Sequence, residues 1–187
     1  MLKKQIRVLG IDDSPFNKFE EKKVLVVAAL FRGGEFLDGV MSTYVKIDGP
    51  DSTSKLIKMI NKCKFKPQLH AILLDGIAFG GFNIIDIEEL CQETNIPVIV
   101  VIRNYPDFDK IGRALIKIKQ EEKIELLKKA GEVHSFNKIF FQAKGCPLDK
   151  AREILKVTTT HAYIPEPLRV AHLIGAGIVY GESRGRA

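Results

Sequence analysis

The sequence has few cysteines, no tryptophan and no long apolar run. Only three of its 187 residues are cysteines, Cys63, Cys91 and Cys146, and none of their spacings is Cys-x-x-Cys. This pattern excludes a disulfide framework and a zinc site built from thiolates. No apolar stretch approaches the ~18–20 residues that cross a bilayer, and carboxylates interrupt the short apolar run near the start. We therefore expect a cytoplasmic protein that does not bind a membrane.

The chain also lacks the composition of a disordered protein. Hydrophobic residues make up 45% of the sequence and charged residues 28%, which is ordinary for a globular protein. Domains of ~100–200 residues are usual, and the sequence contains no internal repeat, low-complexity segment or linker. The sequence therefore predicts a single domain over residues 1–187.

The net charge of +6 favours polyanionic partners, although an excess of this size produces only a modest field. Five lysines and no acidic residue occur between Lys55 and Lys66, and two arginines, Arg184 and Arg186, stand near the C-terminus. These cations are suited to neutralising the phosphates of DNA or RNA. The alternative is that the lysines form the solvated face of a helix.

The hydrophobic pattern predicts alternating strands and helices. Strands are predicted where short apolar runs rich in β-branched residues occur, at residues 5–12, 22–31, 35–47, 69–74, 98–102 and 138–142. Helices are predicted where apolar residues recur at helical spacing, at about residues 51–66, 84–94, 109–129 (as one or two helices), 148–157 and 165–180.

The order of these elements predicts the fold. The first three strands form an antiparallel meander, because Gly33 and Gly34 favour a hairpin between the second and the third. Each later strand follows a helix, which is typical of right-handed parallel crossovers. We therefore expect an α/β protein with one mixed sheet between two layers of helices, an order found in ribonuclease H-like folds.

Three aspartates follow strands that are neighbours in such a sheet. Asp12 and Asp13 end the first strand and Asp75 ends the fourth, so their carboxylates meet at one edge. Alternation along a strand normally lets only one of Asp12 and Asp13 share a site with Asp75. Neighbouring carboxylates repel unless a proton or a hard cation lies between them, which favours Mg²⁺ and phosphodiester hydrolysis. The alternative is that these aspartates only end strands and form turns.

Two further segments contain candidate binding residues. Gly80 and Gly81 precede a helix, where glycine lets a phosphate or a base approach the backbone. Asn83 in the same turn is a candidate substrate-binding residue and a candidate cap of that helix. The last helix carries Arg169 and His172, which are suited to phosphate contact and to proton transfer or contact with metal-bound water. The alternatives are an ordinary turn, an ion pair between Arg169 and Glu166, and a histidine satisfied by the backbone.

Several segments resemble one known family, and together they extend over essentially the whole chain. They are GIDDSPF at residues 10–16, LLDGIAFGGFNIIDIEEL at 73–90, IPVIVVIRNYPDF at 96–108 and IPEPLRVAHLIGAGIVYGESRGRA at 164–187. These segments look like the mainly archaeal family called domain of unknown function 99. That uncharacterised family is similar to endonuclease V, a Mg²⁺-dependent nuclease of ribonuclease H fold that recognises deaminated bases such as inosine. The resemblance implies cleavage of phosphodiesters in DNA or RNA with Mg²⁺ or Mn²⁺.

The resemblance also implies roles for individual residues. The Gly-x-Asp pattern of endonuclease V falls on residues 10–12, which makes Asp12 a metal ligand, and its second metal-binding aspartate falls on Asp75. Arg103 takes the place of an active-site lysine, and the glycine-rich turn of that family resembles residues 80–83.

Two motifs of endonuclease V are absent. Its first helix opens with Phe-Arg-Glu, whereas residues 48–52 read DGPDS, so Asp51, or failing that Asp48, is the candidate third metal ligand. The strand-separating motif Pro-Tyr-Ile-Pro-Gly has no counterpart. The leading hypothesis is a metal-dependent nuclease. The alternative is a noncatalytic protein that binds nucleic acid or nucleotide and retains the fold with an incomplete metal site.

Overall fold

The computed structural model describes residues 5–183, so Arg184 and Arg186 lie outside the described residues. Its strands are β1 (Arg7–Asp13), β2 (Lys23–Arg32), β3 (Phe36–Lys46), β4 (Leu69–Asp75), β5 (Ala78–Phe79), β6 (Asn83–Ile84), β7 (Val98–Ile102), β8 (His134–Phe136) and β9 (Ile139–Lys144). Its helices are α1 (Ser52–Asn61), α2 (Ile87–Thr94), α3 (Phe108–Lys117), α4 (Ile124–Lys129), α5 (Leu148–Thr158) and α6 (Glu166–Tyr180). None of the helices within residues 5–183 is long and apolar enough to span a membrane.

Seven strands form one mixed sheet in the order β3-β2-β1-β4-β7-β9-β8. β1 pairs antiparallel with β2 and parallel with β4, and β2 pairs antiparallel with β3. The predicted meander and the predicted neighbourhood of the first and fourth strands are therefore confirmed. Since β1 and β4 are parallel neighbours, their carboxyl ends lie together at one edge of the sheet.

Both faces of the sheet are buried at its central strands, which are apolar at consecutive positions. In β2, Val26 packs in the core beneath α1 and α2, whereas its neighbour Val27 packs in the core beneath α5 and α6. Leu56 of α1 and Leu168 of α6 are fully buried in these two cores. The predicted arrangement of a sheet between two helical layers is confirmed.

The last sheet strand differs from the prediction. We expected parallel crossovers throughout, but β9 pairs antiparallel with β7 and also antiparallel with β8. The crossover from β7 therefore leads to β8, which has the same direction as β7, and a hairpin then places β9 between them. Asn137 has a positive φ of 52° in the two-residue loop of this hairpin, a conformation that asparagine tolerates better than most residues.

Candidate active site

An open cavity lies where β1 and β4 end. Ile11 is paired with Leu74 across these parallel strands, so the residues that follow them, Asp12 and Asp75, lie side by side. The cavity has a volume of about 480 Å³ and is lined by Asp12, Asp13, Ser14, Pro15, Phe16, Asp75, Arg103, His172 and Tyr180. The structure thus brings together four of the residues singled out from the sequence for a catalytic site: Asp12, Asp75, Arg103 and His172.

Each of the two neighbouring aspartates contacts a basic side chain from another element. His172 of α6 places Nδ1 2.9 Å from Oδ2 of Asp12. Arg103, which follows β7, donates from Nη2 to Oδ2 of Asp75 at 2.7 Å. Both contacts use Oδ2 of the aspartate, and both aspartates line a cavity that is open to solvent.

The electrostatics of the cavity oppose ionisation of all its carboxyl groups at once. Burial raises the pKa of Asp12 to about 7; the hydrogen bond with His172 opposes this shift, and the charges of Asp75 and Asp13 add to it. Burial also raises the pKa of Asp13. The hydrogen bond with Asp12 raises the pKa of His172. A bound cation would favour the ionised form of these carboxylates, because opposite charge lowers a carboxyl pKa.

The donors present fit a magnesium or manganese ion that keeps part of its water shell. Within residues 5–183 no three His, Cys, Asp or Glu side chains form a ready-made metal-binding group. Mg²⁺ does not need such a cage, since one or two carboxylates together with waters and substrate phosphate satisfy it. Asp12 and Asp75 supply that pair of carboxylates.

The sequence did not assign Asp13 to the site, but the structure places both Asp12 and Asp13 along the cavity. The expectation that only one of them shares the site is therefore wrong. The cavity covers the end of the sheet, so it receives side chains from both faces of β1. Asp13 Oδ2 accepts a hydrogen bond from the backbone N–H of Gly80 at 2.8 Å, which ties the glycine-rich turn to β1.

Gly80 and Gly81 are not among the residues that line the cavity. Besides the N–H that binds Asp13, Gly80 accepts a hydrogen bond at its carbonyl from Asp48 N at 2.8 Å. Phe82 N donates to Asp48 Oδ1 at 2.7 Å. The backbone groups predicted to receive substrate therefore hold the turn against Asp13 and Asp48, and these contacts give no support to a substrate role for the two glycines.

Asn83 and Asp51 bind each other, and neither is among the residues that line the cavity. Asn83 is fully buried, and its Nδ2 donates to Asp51 Oδ1 at 2.8 Å and to the Lys46 carbonyl at 2.9 Å. Its Oδ1 accepts from Ser52 N at the start of α1, whereas Asp86 caps α2. The expectation that Asn83 caps the following helix is thus wrong, and the described geometry does not bring Asp51 to Asp12 and Asp75 as a third ligand.

Arg169 also lies outside the cavity, and it forms a bidentate ion pair with Glu166. Arg169 Nε donates to Glu166 Oε1 at 2.9 Å, and Nη2 donates to Oε2 at 2.8 Å. The Glu166 side chain is only 4% exposed. Arg169 thus forms the ion pair with Glu166 that was the alternative to its predicted contact with phosphate.

Lys123 is a buried residue that supports the site and that the sequence did not reveal. Its side chain lies in a segment of mixed charge that resembles a solvated helix face, yet the residue is only 6% exposed. Its Nζ donates to three carbonyls, those of Asp48, Gly49 and Phe82, at 3.0, 2.9 and 2.7 Å. Lys123 therefore holds the loop after β3 together with the turn that binds Asp13.

Replacing Lys123 by methionine should destabilise the protein. The change takes the Lys123 donor from the Gly49 and Phe82 carbonyls, whereas the Asp48 carbonyl keeps its hydrogen bond from Gln120 Nε2. We expect the free energy of unfolding to fall by roughly 2 kcal/mol. Urea denaturation followed by circular dichroism measures this loss. Lys128→Met is the matched control, since Lys128 is exposed and makes one ion pair with Glu125. Equal urea midpoints of unfolding for the two variants would show that the hydrogen bonds of Lys123 do not stabilise the protein.

Comparisons with known proteins identify the relatives of the chain. The family model described as endonuclease dU matches residues 4–179. A UPF0215 protein of Methanothermobacter thermautotrophicus is 46% identical, over 100% of this chain and 94% of that protein. A crystal structure of a protein of unknown function from Archaeoglobus fulgidus is 37% identical with a TM-score of 0.86, and the match covers 92% of this chain and 97% of that one.

A likeness of fold extends to endonuclease V. The enzyme of Ciona intestinalis, in complex with a 24mer DNA containing an inosine followed by a ribo-adenosine, is 21% identical with a TM-score of 0.56. The match covers 89% of this chain and 82% of that chain. The predicted ribonuclease H-like architecture, of the endonuclease V type, is therefore confirmed.

Proposed function

Since the chain belongs to the endonuclease dU family, for which domain of unknown function 99 is an older name, we propose that it is a divalent-metal-dependent nuclease. The observation that carries this proposal is the pair of neighbouring carboxylates, Asp12 and Asp75, at the ends of two parallel strands in an open cavity. The substrate is DNA or RNA, and the scissile phosphate enters this cavity.

Asp12 and Asp75 would hold Mg²⁺ or Mn²⁺ through their carboxylate oxygens. When bound, such an ion supplies activation of water and stabilisation of the leaving oxygen in phosphodiester hydrolysis. The two aspartates fix where the scissile phosphate stands relative to β1 and β4. Asp13 adds negative charge to the cavity and keeps the glycine-rich turn in place.

Arg103 and His172 act on the substrate side of the carboxylates. The guanidinium of Arg103 donates to Asp75 and lines the cavity, where its positive charge is suited to the negative charge that grows on a phosphate in the transition state. His172 presents Nδ1 to Asp12, which leaves the other ring nitrogen to give or take a proton. Arg103 is thus the substrate-binding residue and His172 the proton-transfer residue of this proposal.

The second candidate function is binding of nucleic acid without cleavage. Two observations favour it. No third metal-ligating side chain joins Asp12 and Asp75 in a complete set among residues 5–183, and Asp51 is bound to Asn83 instead. A protein of this kind retains the fold and the phosphate-binding arginine but does not cut.

Removal and return of metal tests the two candidates. The assay uses labelled DNA and RNA that contain inosine or deoxyuridine, with undamaged strands of the same sequence for comparison. We expect cleavage with Mg²⁺ or Mn²⁺, loss of cleavage after chelation, and recovery when the metal is returned, because the metal acts on the chemical step. Binding with no cleavage under any condition would support the noncatalytic candidate, and cleavage that persists in chelator would contradict the metal-dependent one.

A further inference from the structure

A basic groove lies between α1 and the edge strand β3, outside the cavity of Asp12 and Asp75. It has a volume of about 400 Å³, and Lys55, Lys58 and Lys62 line it from one side, with Ser42 and Thr43 of β3 among the residues on the other. The three lysines stand at i, i+3 and i+7, so they share one face of the helical segment. Lys55 and Lys62 are separated along that segment by ~10 Å.

The charge of this groove is not compensated within the described part of the chain. Residues 52–66 contain no acidic residue, and the residues that line the groove from β3 are neutral. Other exposed lysines of the protein do have carboxylate partners; Lys128 pairs with Glu125 and Lys129 with Asp86. Within residues 5–183, no described ion pair involves any of the three groove lysines. Their mutual repulsion persists until an external anion binds.

The register of the sheet relates the groove to the active cavity. Asp13 is opposite Val26, and Val26 is opposite Thr43, so Thr43 lies on the same rung as Asp13, two strands away. Two strand spacings are ~10 Å. This is about three steps of 3.4 Å along one strand of a nucleic acid duplex. A strand whose phosphate occupies the cavity is therefore able to reach the groove within a few nucleotides.

We propose that the groove of Lys55, Lys58 and Lys62 binds the phosphate backbone of the nucleic acid whose scissile phosphate enters the active cavity. The inference rests on the proposed function for the identity of its ligand. The groove is concave and lies between a strand and a helix, a shape that fits a single backbone better than a flat membrane surface. Lysine ammoniums and the hydroxyl of Thr43 contact phosphate oxygens rather than bases, so the contact is independent of sequence.

The test compares two variants that lose the same charge. In the groove variant Lys55, Lys58 and Lys62 are all replaced by glutamine. In the control variant the exposed Lys110, Lys117 and Lys150 are replaced in the same way.

Binding of labelled duplex DNA and single-stranded RNA, with metal omitted, is titrated at several salt concentrations. If each groove lysine neutralises one phosphate, the slope of log K against log salt should weaken by about 2.7 for duplex or about 2.1 for a single strand. The control slope should match the parent.

The outcomes separate this inference from the nuclease proposal. A groove variant whose slope equals the parent's, or a control that loses slope equally, overturns the groove assignment even if the parent cuts nucleic acid. Tighter binding to phosphatidylserine vesicles than to nucleic acid at equal salt also overturns it. A parent that shows the lysine-dependent slope but never cuts supports the groove and contradicts only the nuclease proposal.

Discussion

Replacement of Asp75 by asparagine should abolish metal-dependent cleavage while leaving nucleic-acid binding nearly unchanged. Asparagine keeps the shape of the side chain and an oxygen that accepts from Arg103, which now lies 2.7 Å from Oδ2. It removes the negative charge that would hold the metal beside Asp12. Since metal assistance contributes several kcal/mol to such a step, we expect the cleavage rate to fall by ~10³-fold or more.

The measurement combines single-turnover cleavage, binding to the same labelled strand and titration with Mn²⁺. Asp149→Asn is the matched control, because the side chain of Asp149 is 98% exposed and lies outside the cavity. The control should cut and bind Mn²⁺ like the parent. If the Asp75→Asn variant cuts like the parent and still depends on metal, Asp75 is only a turn residue. If none of the three proteins cuts, the result favours the noncatalytic candidate.

Replacement of Gly10 by alanine should have the largest effect on stability. A Cβ at this position in β1 would collide with the backbone of Pro167 and would stand 2.7 Å from Leu168 N, both at the start of α6. These are backbone atoms, so the helix as a whole must move away from the strand. Overpacking of this kind costs typically 1–3 kcal/mol and sometimes more, and we expect a loss of about 3 kcal/mol.

Gly39→Ala provides the comparison for this experiment. Gly39 lies in β3, and a Cβ there would meet no atom within 4 Å, so its replacement should change the free energy of unfolding by less than about 0.5 kcal/mol. Urea denaturation of the two variants and the parent measures the difference. If Gly10→Ala proves as stable as Gly39→Ala, α6 is not packed directly on β1.

The sequence predicted the parts of the site that depend on strand ends. Asp12 and Asp75 were found because each follows a short apolar run, and the order of elements made those runs neighbours. The resemblance to endonuclease V then pointed to Arg103, and the residue types of the last helix pointed to His172. The contact between His172 and Asp12 joins residues 160 positions apart, and it depends on how closely α6 packs on Gly10.

The parts that could not be predicted are set by long-range hydrogen bonds. Asp51 and Asn83 look like independent candidates in the sequence, and only folding shows that they bind each other. Lys123 lies 75 residues from Asp48, and nothing in its own segment indicates burial. β8 has only three residues, too few for a recognisable alternation, so the reversal of β9 was missed as well.

The shortness of β8 affects how the protein behaves at high concentration. An exposed strand at the border of a sheet offers unpaired backbone groups to which another chain can add, and natural proteins limit this risk with short border strands. β9 contains Phe140 and Phe141, and β8, which is only three residues long, pairs with these two residues and with Ile139. The hairpin of β8 and β9 therefore limits the addition of another chain to the apolar part of β9.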